Sequence, residues 1–409
     1  MHTAIDDRGF AFAEGGVTAP LGFSAAGVNA GVKRSGRRDV ALLAAEHAVP
    51  AAAVFTTNSM AAAPVIVSRE HIASGRVRAA VVNAGNANAC TGEQGMHDAR
   101  AMAAAVAAGL GCEAAEVNVA STGVIGVPLP LPLVEQGIAE ACVSLDANGG
   151  DAAAEAIMTT DTFPKQTAMT FRMGGVRYTV GGMAKGSGMI MPNMATMLAY
   201  ITTDAPLTAE ACDAALRAAN ARTFNRITVD GDTSTNDMAL LMASGAAGGE
   251  PIGPTDARFE RVAKTIESVC GELARMIVRD GEGATTFVTV RVTGARTEAE
   301  ADAAARSIAN SPLFKTAIFG GDANWGRVVM ALGKSEASVD PARVDVSFAG
   351  IVTCERGMAV AFDEVAAAEA LAAEEVEVVV DLNLGDAEAI VWTCDLSYEY
   401  VRINGEYRT

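Results

Sequence analysis

KGSGMIMPNMATML, residues 185–198, leads from a glycine-rich loop across Pro192 into an apolar run that continues as AYITT to Thr203. Gly181, Gly182, Gly186 and Gly188 admit backbone shapes closed to other residues, and the run from Thr196 to Thr203 reads as a strand. Taken alone, the stretch also reads as a surface loop before a strand, with Met189, Met191, Met194 and Met197 as apolar packing. A phosphate-cradling loop is excluded, because G-x-x-x-x-G-K-[ST] is absent. The reading with chemical content concerns the threonine that opens the strand. Its hydroxyl can attack the carbonyl of Ala195, turning the amide into an ester that water then splits. The new α-amine of Thr196, with a reference pKa of ~7.7–8.0, would serve as base to its own hydroxyl.

The rest of the composition favours a base of that kind. The four histidines, His2, His47, His71 and His97, all lie in the first quarter of 409 residues, so a Ser-His-Asp arrangement near residue 196 would need one brought from far away. The net charge of −18 repels phosphate backbones, and nucleic acid is not an expected partner. Half the residues are apolar but only 5% aromatic, which predicts a large core of small, alanine-rich elements. Seven scattered cysteines without a C-x-x-C suggest reduced thiols, a cytoplasmic location and no zinc site. The opening MHTAIDDRGFAFAEGG does not read as a signal peptide, and no apolar run reaches the length of a membrane span.

Along the chain, strands and helices interleave without internal repeats. Strands are predicted over 76–82, 175–180, 196–203 and 285–292, and a strand pair over 376–382 and 389–396. Helices are predicted over 97–110, 131–142, 151–158, 207–220, 235–243 and 258–278. A further helix runs from a T-x-x-E capping box at Thr297 and Glu300 to about Ala309. Asp230, Asp232 and Asp237 in DGDTSTND superficially suggest a cation loop. They lack the glycine and bidentate glutamate of a calcium site and read as a polar turn capping the next helix.

Seven segments stand in order: APLGFSAAGVNAGVK, NAGNANACTG, STGVIG, MTTDTFPK, KGSGMIMPNMATML, DGEGAT and the terminal YVRINGEYRT. Together they resemble the ornithine acetyltransferase family of arginine biosynthesis, from about residue 17 to the end. Two departures are Thr286 after DGEGAT, where lysine is expected, and Ala323 in GDANWGR, where proline is.

The resemblance implies a mixed α/β fold of the N-terminal-nucleophile sandwich type. It implies self-cleavage between Ala195 and Thr196 into an alpha chain, 1–195, and a beta chain, 196–409, that stay intertwined and pair as α2β2. Thr196 would be the nucleophile, and Thr122 and Gly123 of STGVIG the oxyanion hole. Thr159, Lys185, Thr196, Glu282, Asn404 and Thr409 would contact substrate. No cofactor or metal is implied. The activity implied is acetyl transfer from N2-acetyl-L-ornithine to L-glutamate through an acetyl-threonine, with acetyl-CoA as a second donor in some relatives. Two other readings remain open on the residues: a self-processing aminopeptidase or amidase with the same nucleophile, and a non-catalytic amino-acid-binding protein. Partition of the acyl-enzyme between glutamate and water separates the first, and an uncut chain on a denaturing gel marks the second.

Overall fold

The structure, a computed structural model, describes residues 10–191 and 197–406. Ala195 and Thr196, and with them the cleavage and nucleophile assignments, lie outside the described residues, as does Thr409.

The first body is one nine-stranded sheet that folds over on itself. Its strands are β1 (Ala11–Ala13), β2 (Phe23–Val28), β3 (Val40–Phe55), β4 (Arg76–Asn86), β5 (Val117–Val124), β6 (Lys165–Met173), β7 (Val176–Lys185), β8 (Leu198–Thr203) and β9 (Met238–Ala243). Their order is β1-β6-β7-β8-β9-β3-β4-β5, with β2 also on β3. The fold line is β3: Val40–Ala44 pair with β4 and Ala51–Phe55 with β9, with a register shift between. One core cluster therefore holds residues of both leaves, Leu43 and Val82 with Tyr200 and Leu240.

The outer faces are covered by helices. Helices α2 (Gly92–Leu110) and α3 (Leu131–Val143), after the shorter α1 (Ala63–His71), put Met102, Val106 and Ile138 against Leu42, Val81 and Val119. Helices α5 (Ala209–Arg222) and α6 (Phe259–Arg279) put Leu216, Val269 and Leu273 against Val180, Ile201 and Leu241. The short α4 (Gly150–Ala156) buries Ala153 and Ala154 in the cluster between the leaves. The result is a helix–sheet–sheet–helix sandwich, the mixed α/β class expected from the sequence.

This layering corrects one expectation. Residues 238–243 are strand β9, not a helix. MALLMA is buried at every position because both faces of a central strand are covered, and a short, wholly apolar run carries no period to tell strand from helix.

The second body is a six-stranded sheet. It comprises β10 (Phe287–Ala295), β11 (Asp345–Phe348), β12 (Ile351–Glu355), β13 (Met358–Ala359), β14 (Glu375–Asp381) and β15 (Ala387–Cys394), in the order β13-β12-β11-β14-β10-β15. Here one face is buried, under α7 (Glu298–Ala309), α8 (Pro312–Phe319), α9 (Trp325–Gly333) and α10 (Glu364–Leu371). The strands accordingly alternate, as in EVEVVVD of β14. The last two strands do not pair with each other as expected. Strand β10 lies between them, parallel to β14 and antiparallel to β15. At the start of α7 the Thr297 hydroxyl accepts the Glu300 N–H, while the Glu300 carboxylate takes the Ser338 hydroxyl, so half of the capping box forms. The last described element is α11 (Tyr398–Glu406), which returns to the first body.

Candidate active site

Strands β7, β4 and β5 end, and β8 and β9 begin, around one cavity of about 220 Å³. It is lined by Thr122 and Gly123 from the end of β5, Thr159 after α4, Lys185 from the end of β7, Glu282 after α6 and Asn404 from α11. All six of the described residues assigned from the sequence thus meet in one place. Ile190 and Met197, on either side of residues 192–196, line the same cavity.

The β5 end is shaped by close backbone approach. Gly123 has φ +131°, and a Cβ there would lie 2.4 Å from the carbonyl carbon of Gly85, so only glycine fits. The strand is held by Asn236, whose amide donates to Ala87 O (2.6 Å) and Ser121 O (2.9 Å). The NAGNANACTG segment closes the turn from the other side: the Asn86 amide donates to Val127 O and Pro128 O, and its carbonyl accepts the Asn88 N–H.

Lys185 spans the first wall. Its Nζ donates to Thr159 Oγ1 at 2.7 Å and reaches Thr122 Oγ1 at 3.4 Å. Burial pushes its pKa below the ordinary lysine value, against the opposing pull of the Asp161 carboxylate. On the other wall, Glu282 Oε2 accepts the Asn404 amide at 2.7 Å. The Glu282 backbone N–H donates to Ser187 O (3.0 Å), which brings this wall against the loop that follows β7.

That loop is fixed up to residue 191. Asp230 accepts the N–H groups of Met189 (2.6 Å) and Ile190 (2.8 Å), and the Thr233 hydroxyl donates to Met191 O. Beyond the undescribed residues, Met197 O accepts the Met238 N–H at 2.9 Å. The polar run DGDTSTND, expected to cap a helix, instead braces this loop and carries Asp237 into the cavity wall. Asp237 is 2% exposed and its Oδ2 has no hydrogen-bond partner. Burial raises its carboxyl well above the usual range, with Ser234 and Lys185 opposing.

The sequence reading took Asp230 and Asp237 for a capping turn and did not single out Asn236 or Tyr400, whose hydroxyl lies 3.3 Å from Asp230. For the first three the signal existed in the dense polar run before an apolar strand. Tyr400 opens the terminal segment YVRINGEYRT, which marked it by motif but not by chemistry. Thr286, the departure from lysine, is buried, and its N–H donates to Asp395.

Residues 24–409 match the ArgJ family. The arginine biosynthesis bifunctional protein ArgJ of Symbiobacterium thermophilum is 54% identical over 97% of this chain and 99% of its own length. The protein of the same name from Geobacter sulfurreducens is 50% identical over 95% and 99%. A crystal structure of arginine biosynthesis bifunctional protein argJ from Bacillus halodurans superposes with a TM-score of 0.51 at 45% identity. It covers 52% of this chain and 100% of the solved one.

Proposed function

The chain belongs to the ArgJ family, and from that premise we propose that it is an acetyltransferase of arginine biosynthesis that moves the acetyl group of N2-acetyl-L-ornithine to L-glutamate. The observation that carries this reading is the convergence of Thr122, Gly123, Thr159, Lys185, Glu282 and Asn404 on a single small cavity bordered by Met197. That is a lining for a small amino acid, with a buried ammonium and a carboxylate to meet its charged ends and no room for a polymer.

Cleavage between Ala195 and Thr196 leaves an alpha chain, 1–195, and a beta chain opening with the nucleophile. Support comes from the length of the Bacillus halodurans chain, which matches in full yet spans 52% of this one. A piece from 196 to 409 would hold 214 of 409 residues, the same share. Thr196 Oγ attacks the acetyl carbonyl carbon while its proton passes to the Thr196 α-amine. The Thr122 hydroxyl and Gly123 N–H take the developing oxyanion, a kind of contact typically worth ~10²–10³ in rate. The C–N bond then breaks, the proton goes to the departing nitrogen, and ornithine leaves an acetyl-threonine ester. The glutamate amine attacks that ester, reversing the sequence and freeing Thr196. Lys185 pairs with the substrate α-carboxylate beside Thr159, Glu282 pairs with its ammonium, and Asn404 and Thr409 hydrogen-bond its polar ends.

The relatives are named bifunctional, which we read as a second donor, acetyl-CoA, loading the same threonine. We also take the two pieces to assemble as α2β2 in the cytoplasm, a compartment consistent with seven free cysteines. Among the described residues no helix is long and apolar enough to cross a membrane.

Thr196→Ala tests the scheme. The wild-type protein should run as two pieces on a denaturing gel, and its C-terminal piece should gain one acetyl mass after brief exposure to acetylornithine. The variant should stay whole and inactive. Acetyl transfer by the variant would show that another group is the nucleophile.

A further inference from the structure

MTTDTFPK and DGEGAT contribute Thr159 and Glu282 to the cavity, but their other charged residues have no part in the chemistry above. Three of them meet beneath the cavity. Lys165 Nζ lies 2.6 Å from Asp161 Oδ1 and 2.5 Å from Asp280 Oδ2, and all three side chains are almost fully buried. Asp161 spends its remaining capacity on the site. Its Oδ2 accepts the Thr159 N–H at 2.9 Å, and its Oδ1 accepts the N–H of Gly186, next to Lys185, at 2.7 Å. Asp280 accepts the N–H and hydroxyl of Thr162, and its own carbonyl takes the Ser187 hydroxyl, two residues before Glu282. A triad of this kind is a poor way to gain stability, because desolvating three charges costs about as much as their attraction returns.

We propose that Asp161, Lys165 and Asp280 are positioning residues, one buried charge chain that fixes Thr159, Lys185 and Glu282 in a common frame and sets the Asp161 carboxylate opposite the Lys185 ammonium. The proposal rests on the substrate reading given above. The groups acting on Lys185 come from several elements: Asp161 before β6, Lys165 on β6, Asp237 before β9 and Glu282 after α6. Lys33, before β3, adds a second cation. Asp161 is held ionised: burial works against it, but Lys165 and Lys185 bring its pKa far below the ordinary value. Asp237 is pushed the other way by burial. Without Asp161, the desolvated lysine sheds its proton at lower pH, and a neutral amine no longer pairs with a carboxylate.

The test compares wild type, Asp161→Asn and Asp280→Asn as full-length, processed protein. Steady-state kinetics with acetylornithine and calorimetric binding of L-ornithine are measured from pH 6 to 9, with thermal midpoints alongside. For Asp161→Asn, KM and the ornithine Kd should rise relative to wild type, by about tenfold or more at the alkaline end of this range and by less at the acid end, with kcat changing less. Asp280→Asn leaves Lys165 to Asp161 alone, drawing that carboxylate away from Lys185, and should show the same trend at a few-fold. Should Asp161→Asn fail to fold, the Asp280→Asn ratio decides. A ratio to wild type that is flat with pH, or an unchanged KM, overturns the proposal. Wild-type protein that neither exchanges acetyl groups nor binds ornithine sinks the substrate reading and this one together. Normal wild-type exchange with a flat variant ratio sinks this one alone.

Discussion

Gly188 shows how tightly the cavity constrains a single residue. Its backbone is not in the left-handed region, yet a Cβ added there would lie 2.4 Å from the Glu282 carboxyl group. Gly188→Ala must therefore displace Glu282 without straining the chain. Misplacement of about 1 Å at a substrate-positioning group can cost ~10² in rate. We expect kcat/KM for acetylornithine to fall by about that factor, with self-cleavage intact on a denaturing gel. Asp237 makes a different prediction. Its carboxyl is raised in the folded protein, so it binds its proton more tightly there than in the unfolded chain. The stability this contributes is fully present below the ordinary value of 3.8 and is lost as pH rises through the folded pKa. Asp161, depressed, contributes the opposite: stability present above that value and lost as pH falls. Asp237→Asn, permanently neutral, should make the thermal midpoint decline less than wild type between pH 5 and 8. Parallel midpoint curves for the two proteins would contradict the raised carboxyl.

Among the elements, α11 offers a way to separate the proposed substrate binding from stability. None of its described residues is buried, yet Asn404 reaches Glu282 and Tyr400 reaches Asp230. Deleting residues 398–409 should leave the thermal midpoint within a few degrees while raising KM at least tenfold. A collapse of the midpoint would make the tail a structural strap instead. Which elements the sequence disclosed follows from how each is buried. Helix α6 was legible because its apolar residues keep one face, and β10 because a covered sheet face makes Val288, Val290 and Val292 alternate with polar neighbours. Strand β3 was not read at all: VALLAAEHAVPAAAVF is alanine-rich, buried on both sides and interrupted by Pro50, so neither period nor propensity marks it. The residues of the cavity were legible through chemical type and motif order. The Asp161–Lys165–Asp280 chain was not, since the partners of Lys165 sit 4 and 115 positions away and no local pattern joins them.

Across the whole molecule, the sheet order interleaves what the proposed cut would separate. Strands β8 and β9 lie beyond residue 196, yet they stand between β7 and β3, which lie before it. Six residue pairs join β8 to β7 and five join β9 to β3, and the clusters on both faces draw side chains from each side of the cut. The two pieces should co-elute as one species on size exclusion in native buffer and separate only in denaturant. Elution as separate pieces without denaturant would contradict the interleaved sheet.

That interleaving also gives the molecule a history. An intact chain threads β8 and β9 into the gap as a single-molecule event, at a rate independent of dilution. Once severed, the same arrangement could be rebuilt only by an encounter between two partners. Heat or acid would then erase the mature enzyme far more permanently than its precursor, whose regain of shape after unfolding owes nothing to concentration.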